Sequence, residues 1–517
     1  MDRRLIWMVL LTGFLSFNVS SQQNLSLLNL FFQDRYFIHS SSMGVGNSVF
    51  PYSESTFDPN RAVADSSRQY YEITEILFKK HLFEVKGENY YLTISPVADL
   101  SMGKDLSDTN DRRLFQNTRG FFIEGDLMKN FSFSTAFYEN QGRYTSYETD
   151  YYRSIGELYP NASSGYNTQN AMIPGYARTK PFNVDGFDYA FATGNIVYRP
   201  IRQLTLIAGN TPHFIGDGYR SLLLSDNGVA APFYRIDYRM NDKFELVYIR
   251  EKLQNLMRKP ASSSAEAYYE PKAYSVNYLT WKPTGKLAFS LFEGTIWSKG
   301  DSIQTYRAHP LFYSPVPVVN ALILHDSLQN QVTGLNISFV ASVNHRFYGQ
   351  FAMTDLDGEK IAFQVGYRGM NFFGLKDLML QLEYNHASKG MYISDYRRLN
   401  QVNSNLPMAH PKGNGFQELV FRFNYEYRRI FADVKTVYYL LKDYDALSLL
   451  PVVKPISFVL NSILHQSVEF GYRFNRKMNL SVFAGYVFRS PTSETDRTTS
   501  MVQFGMRTAI LNRYTDF

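Results

Sequence analysis

The chain has no cysteine among its 517 residues and only 3 tryptophans. Without thiols it forms no disulfide and no thiolate metal site, and it cannot carry an acylated-cysteine lipid anchor. Such a composition suits an exported protein. Past the first twenty or so residues there is also no run of about 18 apolar residues, the length a membrane-spanning helix needs. Ser448 to Leu464 comes nearest, and Pro451, Lys454 and Pro455 interrupt it. No G-x-x-x-x-G-K phosphate loop, G-x-S-x-G elbow or H-E-x-x-H pair occurs. His213, His309, His325 and His410 fall in connecting stretches, but no spacing ties them to a nucleophile. The expectation is therefore a protein that is not an enzyme and uses no cofactor, a loop-borne hydrolase being the less favoured reading. A net charge of +6 is mild for this length, so nucleic acid is not an expected partner.

Rings are what the chain has in excess, with 39 Tyr and 41 Phe, and the lipid–water interface is one place to use them. The start, Met1-Asp2-Arg3-Arg4, an apolar run from Leu5 to Phe17 and then Val19-Ser20-Ser21, predicts a cleaved secretory signal over residues 1–21. Residues 22–80 lack clean alternation and are expected to form a periplasmic or lumen-facing extension. A helix is predicted within it over 65–80, with Tyr70, Ile73, Ile76 and Leu77 near one face. Residues 81–517 are read as a single sheet domain.

That reading rests on one strand type repeated many times. In Tyr234 to Met240, Tyr234, Ile236, Tyr238 and Met240 share one face, and Arg235, Asp237 and Arg239 the other. Ile361-Phe363-Val365-Tyr367 and Leu378-Leu380-Leu382-Tyr384 repeat the pattern, with Gln364, Arg368, Gln381, Glu383 and Asn385 opposite. Phe421-Phe423-Tyr425-Tyr427 alternates with Arg422, Asn424, Glu426 and Arg428. Pairs of strands join through short turns such as Arg199-Pro200, Asn241-Asp242-Lys243 and Asn475-Arg476-Lys477. Between pairs the joints are mostly long: 141–186, 210–231, 252–272, 298–331, 387–415 and 443–465. Alternating short and long joints with one-sided strands predict a transmembrane antiparallel up-and-down β-barrel of the outer membrane, with about 18 strands and an error of two. Apolar residues would meet outer-membrane lipid. Arg235, Asp237, Arg239, Glu383, Arg422 and Glu426 would face a wet lumen, their mixed signs defining no ion selectivity.

One connection differs from the rest. His213-Phe214-Ile215-Gly216-Asp217-Gly218-Tyr219-Arg220-Ser221-Leu222-Leu223-Leu224-Ser225-Asp226-Asn227 does not alternate and is punctuated by glycine. Together with the preceding Gly209-Asn210-Thr211-Pro212 and the later Pro232, it resembles the signature of the capsule-assembly Wzi family. Within that family it is most similar to the RemB-type outer-membrane proteins of gliding Bacteroidota. Ala409-His410-Pro411-Lys412-Gly413-Asn414-Gly415-Phe416-Gln417-Glu418 resembles a second block of the same group. The resemblance implies a barrel with a lectin-like role that holds capsular polysaccharide or serves gliding motility, with surface polysaccharide and other gliding or secretion-machinery outer-membrane proteins as partners. It also implies a helical element on the periplasmic side, for which 65–80 is the candidate.

Glycan recognition wants stacking rings and planar hydrogen-bonding groups. His213, Asp217, Tyr219, Arg220, Ser221, Asp226 and Asn227 form the candidate ligand-binding loop, with Tyr144, Tyr147, Tyr151, Tyr152, Tyr159 and Tyr166 in a second, or an interfacial belt. Alternatively Asp217 to Asn227 folds inward and packs the lumen, with Arg220 paired to a wall carboxylate such as Asp237; this packing is the favoured of the two. His213 and Asp217 form a hydrogen-bonded pair or, less favoured, ligate a cation. Phe517 resembles the aromatic end used for barrel insertion, although Asn512 to Asp516 break the alternation. A general diffusion porin is the alternative function, and it requires 210–231 folded against the wall.

Overall fold

Alternation of ring and charge gives each strand an apolar and a polar face, and eighteen such strands close into one barrel. The structure is a computed structural model that describes residues 24–40, 44–52, 72–128, 130–161, 165–258, 269–298, 310–320, 329–354, 358–441, 447–452, 461–492 and 496–517. The leader expected over 1–21, residues 65–71 of the expected helix, His309 and His325 lie outside the described residues.

The wall begins with β1 (Tyr90–Asp105), β2 (Arg113–Leu127), β3 (Phe131–Arg143), β4 (Gly186–Ile201), β5 (Leu204–Asn210) and β6 (Pro232–Arg239). It continues through β7 (Phe244–Arg258), β8 (Tyr269–Thr284), β9 (Leu287–Ser298), β10 (Gln329–Ser342), β11 (His345–Thr354) and β12 (Lys360–Met370). The last third is β13 (Met379–Ala387), β14 (Phe416–Tyr427), β15 (Ile430–Leu440), β16 (Ser462–Asn475), β17 (Leu480–Pro491) and β18 (Thr499–Arg507). Each pairs antiparallel with the next, and β18 returns to β1 with Met501 opposite Asp105 and Arg507 opposite Asp99. Closure gives every wall strand a neighbour on both sides, so no full-length edge is left to aggregate.

The outer face is an apolar belt. Phe121, Phe137, Ile196, Leu291, Leu335, Val365, Leu382, Phe470 and Phe504 are all exposed on it. On β6 the expected sidedness holds: Tyr234 and Tyr238 are 44% and 41% exposed, whereas Arg235 between them is 2% exposed. Water could not stabilise so many exposed rings and aliphatic chains, but hydrocarbon does. One sector of this face is covered by protein. Residues 310–320 lie against the outside of the wall, where Arg250 of β7 donates to the carbonyls of Phe312 (2.9 Å) and Ser314 (3.2 Å). Beneath them Asn277 and Asn320 both donate to Glu293, at 3.1 and 3.2 Å, so the polar groups of this sector are kept from lipid.

The inner face is polar and the lumen is filled. Residues 24–40 and 44–52 enter it at the end that carries the short turns. There Asn29 accepts from the backbone N–H of Phe31 (3.0 Å) and starts α1 (Leu30–Ser40). Val49 and Phe50 then pair with Ile215 and Phe214 of the 211–231 connection. A second helix, α2 (Glu72–Phe78), lies within the stretch predicted to be helical. A third, α3 (Ser146–Ser154), begins with a capping box between Thr145 and Glu148 and turns the buried Tyr147 and Tyr152 inward. After β18 the stretch 508–517 also turns into the lumen and does not extend the wall. Phe517 packs on Tyr147, Tyr151 and Tyr152 with ring centroids 5.7, 4.4 and 6.4 Å away, which replaces the strand-end role expected for it.

Candidate functional site

The glycine-punctuated connection lies in the middle of the lumen, every residue from Pro212 to Gly228 buried. Its glycines are required by the turn. Gly216 has φ +143°, and a Cβ there would meet the Gln350 amide at 2.5 Å. At Gly218 a Cβ would meet the Glu383 carboxylate at 2.6 Å, so the backbone can approach the wall only without a side chain.

Close approach lets one wall carboxylate hold the turn. Glu383 of β13 accepts the backbone N–H groups of Tyr219 (2.7 Å) and Arg220 (3.0 Å). The Arg220 side chain then bridges two carboxylates, Glu418 of β14 at 3.0 Å and Asp516 at 2.9 Å, and donates to the Tyr439 hydroxyl at 3.0 Å. Asp237, the partner expected for Arg220, is taken by Arg235 two residues away on its own strand, through two bonds of 2.7 Å. A bidentate pair within one strand needs no loop movement, and it leaves Arg220 to reach the opposite wall. Asp516 also receives Lys435 (2.7 Å) and the Tyr219 hydroxyl (2.6 Å). Burial works against charge at Asp516, yet Arg220 and Lys435 hold its carboxyl well below the usual range; Asp516 and Glu418 raise Arg220 correspondingly.

The other candidate residues are similarly engaged. His213 and Asp217 do not bond each other: His213 Nδ1 lies 2.8 Å from Glu251, and Asp217 accepts from Ser48 at 2.8 Å. Ser221 donates to the Ile215 carbonyl at 2.5 Å and accepts from the backbone of Leu223 and Leu224. Asn227 donates to the Pro407 carbonyl at 3.0 Å. Asp226 accepts Asn512 and Tyr514, both at 2.8 Å, and burial pushes its carboxyl up to about 6. None of the seven is presented to solvent.

Of the lumen set, Arg422 pairs with Asp34 of α1 at 2.7 Å, and Glu426 receives Arg35 at 2.6 Å together with Arg473 and Arg476. Arg239 is exposed and lines a cavity of about 490 Å³ at the short-turn end. A cavity of about 400 Å³ between α1, 508–515 and the wall is lined by charges of both signs, among them Asp99, Arg507, Glu469 and Lys435. Tyr144, Tyr147 and Tyr152 face inward as packing, not outward as a belt.

The structure joins the two stretches that sequence reading singled out separately. Ser225 donates to the Ala409 carbonyl, and Glu418 lies between Arg220 and His410, the latter at 2.8 Å. Lys412 is buried beside them, and burial lowers its ammonium to about 7. Asp516, Lys435, Asp34 and Gln350 are members of this network that sequence reasoning passed over. The broken alternation at Asn512 to Asp516 was the signal for the first of these. Among the described residues no group of three or more His, Asp or Glu could hold a metal ion.

Chemically the arrangement is a latch. Ion pairs and donated backbone hydrogens tie the 211–231 connection, the 388–415 connection and the 508–517 stretch to one side of the wall. No protein-family model and no curated protein matches the chain. Among solved structures it is similar to Wzi of Escherichia coli, described as an outer-membrane protein involved in group 1 capsule assembly and a carbohydrate-binding β-barrel. The TM-score is 0.53 at 10% identity, over 94% of this chain and 100% of that one. OccAB2 of Acinetobacter baumannii aligns with a TM-score of 0.42 at 10% identity, over 81% of this chain and 98% of that one. The likeness to the Escherichia coli barrel and the closed sheet itself establish that the chain has the fold of a closed transmembrane β-barrel.

Proposed function

We propose that this chain is an outer-membrane barrel that binds or anchors polysaccharide at the bacterial surface, exported by the leader at 1–21. The observation that carries the reading is the position of the 211–231 connection. It crosses the lumen and is latched there by Arg220, which leaves a diffusion porin without the wall-lying loop it requires. The carbohydrate binding described for the Escherichia coli barrel of the same fold points the same way. In this reading His213, Asp217, Tyr219, Arg220, Ser221, Asp226 and Asn227 act by holding a rigid floor beneath the exterior loops, which make the sugar contacts. The finer assignment, to RemB-type proteins serving gliding with other outer-membrane proteins of that machinery, rests on the Gly209–Asn227 and Ala409–Glu418 stretches alone.

The test is binding of the detergent-solubilised barrel to polysaccharide extracted from its own cell, alongside conductance in planar bilayers. Saturable binding with no steady conductance is expected. Absence of binding together with steady open-channel current would overturn the proposal in favour of a porin.

A further inference from the structure

Strands β5 and β6 contain 7 and 8 residues, whereas the adjoining β4 and β7 contain 16 and 15. A tilted strand needs about nine to eleven residues to cross the hydrocarbon layer. The short pair stops where Asn210 faces Gly194 on one side and Pro232 on the other, and the chain leaves the wall there for the lumen. Lys180–Phe182 pairs with Gly186–Asp188 at the top of β4, but between residues 189–193 of β4 and 252–256 of β7 no wall strand lies among the described residues. The result is a window in the wall. Its upper edge is a hairpin, Glu157–Asn161 with Gly165–Gln169, whose Leu158 meets Met257. The free edge of β7 is satisfied from within: Ser404 donates to the Gln254 carbonyl at 2.8 Å, and the side chains of Asn403 and Asn405 accept from Gln254 and Leu256.

The neighbouring strands place this window relative to the bilayer. Ala192 faces Phe137, which stacks on Phe121 with centroids 6.1 Å apart, both rings exposed on the outer face. Two residues farther along the same face, Arg119 and Glu139 form an ion pair at 3.6 Å. The belt therefore changes from hydrocarbon-compatible to charged across the height of the window, and the sill at Gly194 and Asn210 lies on the apolar side of that change. The window holds a cavity of about 470 Å³, within the roughly 300–1,000 Å³ of small-molecule sites. Tyr176 and Phe191, stacked at 4.9 Å, line it, and Asn210 and Gln254 add amides. The Asn210 Oδ1 is buried with no protein partner.

We propose that this window receives the first sugars of a lipid-anchored glycan whose acyl tail stays in the outer leaflet, a proposal that rests on the polysaccharide reading above. A free polymer approaches the barrel from its loop end. An opening that faces sideways at the boundary between acyl chains and head groups admits a ligand already held in the membrane. Amides for directed hydrogen bonds beside apolar ring edges suit a saccharide head better than a choline or a bare acyl chain.

The experiment uses the full chain in lipid nanodiscs and a tail-labelled alkyl glucoside as probe, with a tail-labelled alkyl phosphocholine as the control. Saturable glucoside binding is expected, with free glucose a poor competitor. Ala192→Trp and Ala230→Trp fill the window from separate rims and should each weaken it at least tenfold, whereas Ala190→Trp, higher on the same outer face, should not. Equal binding by all variants, or equal binding of the phosphocholine, overturns the proposal. Free polysaccharide binding is measured on the same preparations. If it persists without window-dependent glucoside binding, only the window fails. If window-dependent glucoside binding is seen and the polysaccharide does not bind, only the surface-anchoring function fails.

Discussion

Arg220→Ala is the substitution that most directly probes the latch. Arg220 is 1% exposed and touches two carboxylates. Removing one partner of a buried ion pair costs roughly 3–5 kcal/mol, mainly because the remaining charge is left uncompensated. Here both carboxylates keep other donors, Glu418 through His410 at 2.8 Å and Asn385 at 2.7 Å, and Asp516 through Lys435 and Tyr219. The lower end, about 3 kcal/mol, is therefore expected, and it multiplies the undocked population of the loop roughly 150-fold. Amide hydrogen exchange reads that population directly when opening is fast and reversible. Peptides covering 211–228 and 508–517 should exchange about two orders of magnitude faster, with wall peptides from β8 to β12 unchanged. Arg220→Lys should recover only part of the protection, since an ammonium lacks the fork that spans two carboxylates. Unchanged exchange in both stretches would refute the latch.

Two further outcomes follow from other parts of the molecule. Arg250→Ala removes the donor that holds residues 310–320 to the outer wall and should cost about 2 kcal/mol of local docking, the scale of lost charge-assisted hydrogen bonds; limited proteolysis in micelles should cut this segment several-fold faster, with the barrel intact. Asp226 titrates in the fold at about 6, above its ordinary 3.8, so its contribution is present below pH 3.8 and is lost as pH rises through 6. Exchange from 211–228 should accelerate between pH 4 and 6 once corrected for intrinsic rates, and Asp226→Asn should flatten that difference.

The wall was legible in the sequence because its signal is periodic. Tyr234 to Met240 or Phe421 to Arg428 show two faces in seven or eight residues, and a closed sheet follows from enough such strands with short turns between them. The plug was legible only in part. Segments such as Leu30–Ser40 and 508–517 pack against a polar inner wall, so burial imposes no apolar stripe on them and they read as connections. Pairing was the weakest inference. Asp237 looked available to Arg220 because both fall in one stretch of chain, yet Arg235 sits on the same face of the same strand and reaches it first. The partners actually used, Glu418 and Asp516, lie 198 and 296 residues away, a separation that no local pattern encodes.

The position of 508–517 sets an order of events in assembly. The hoop of strands can close through the β18–β1 seam without it, but the interior cannot set, because Asp516 and Tyr514 supply anchors for a loop made some three hundred residues earlier. Glu418 of β14 and Lys435 of β15 can both reach that latch only once their strands have paired, so these contacts follow the wall. A barrel interrupted near residue 507 is therefore a finished ring around a loose centre. Tightening of that centre reports that the whole strand series has been delivered.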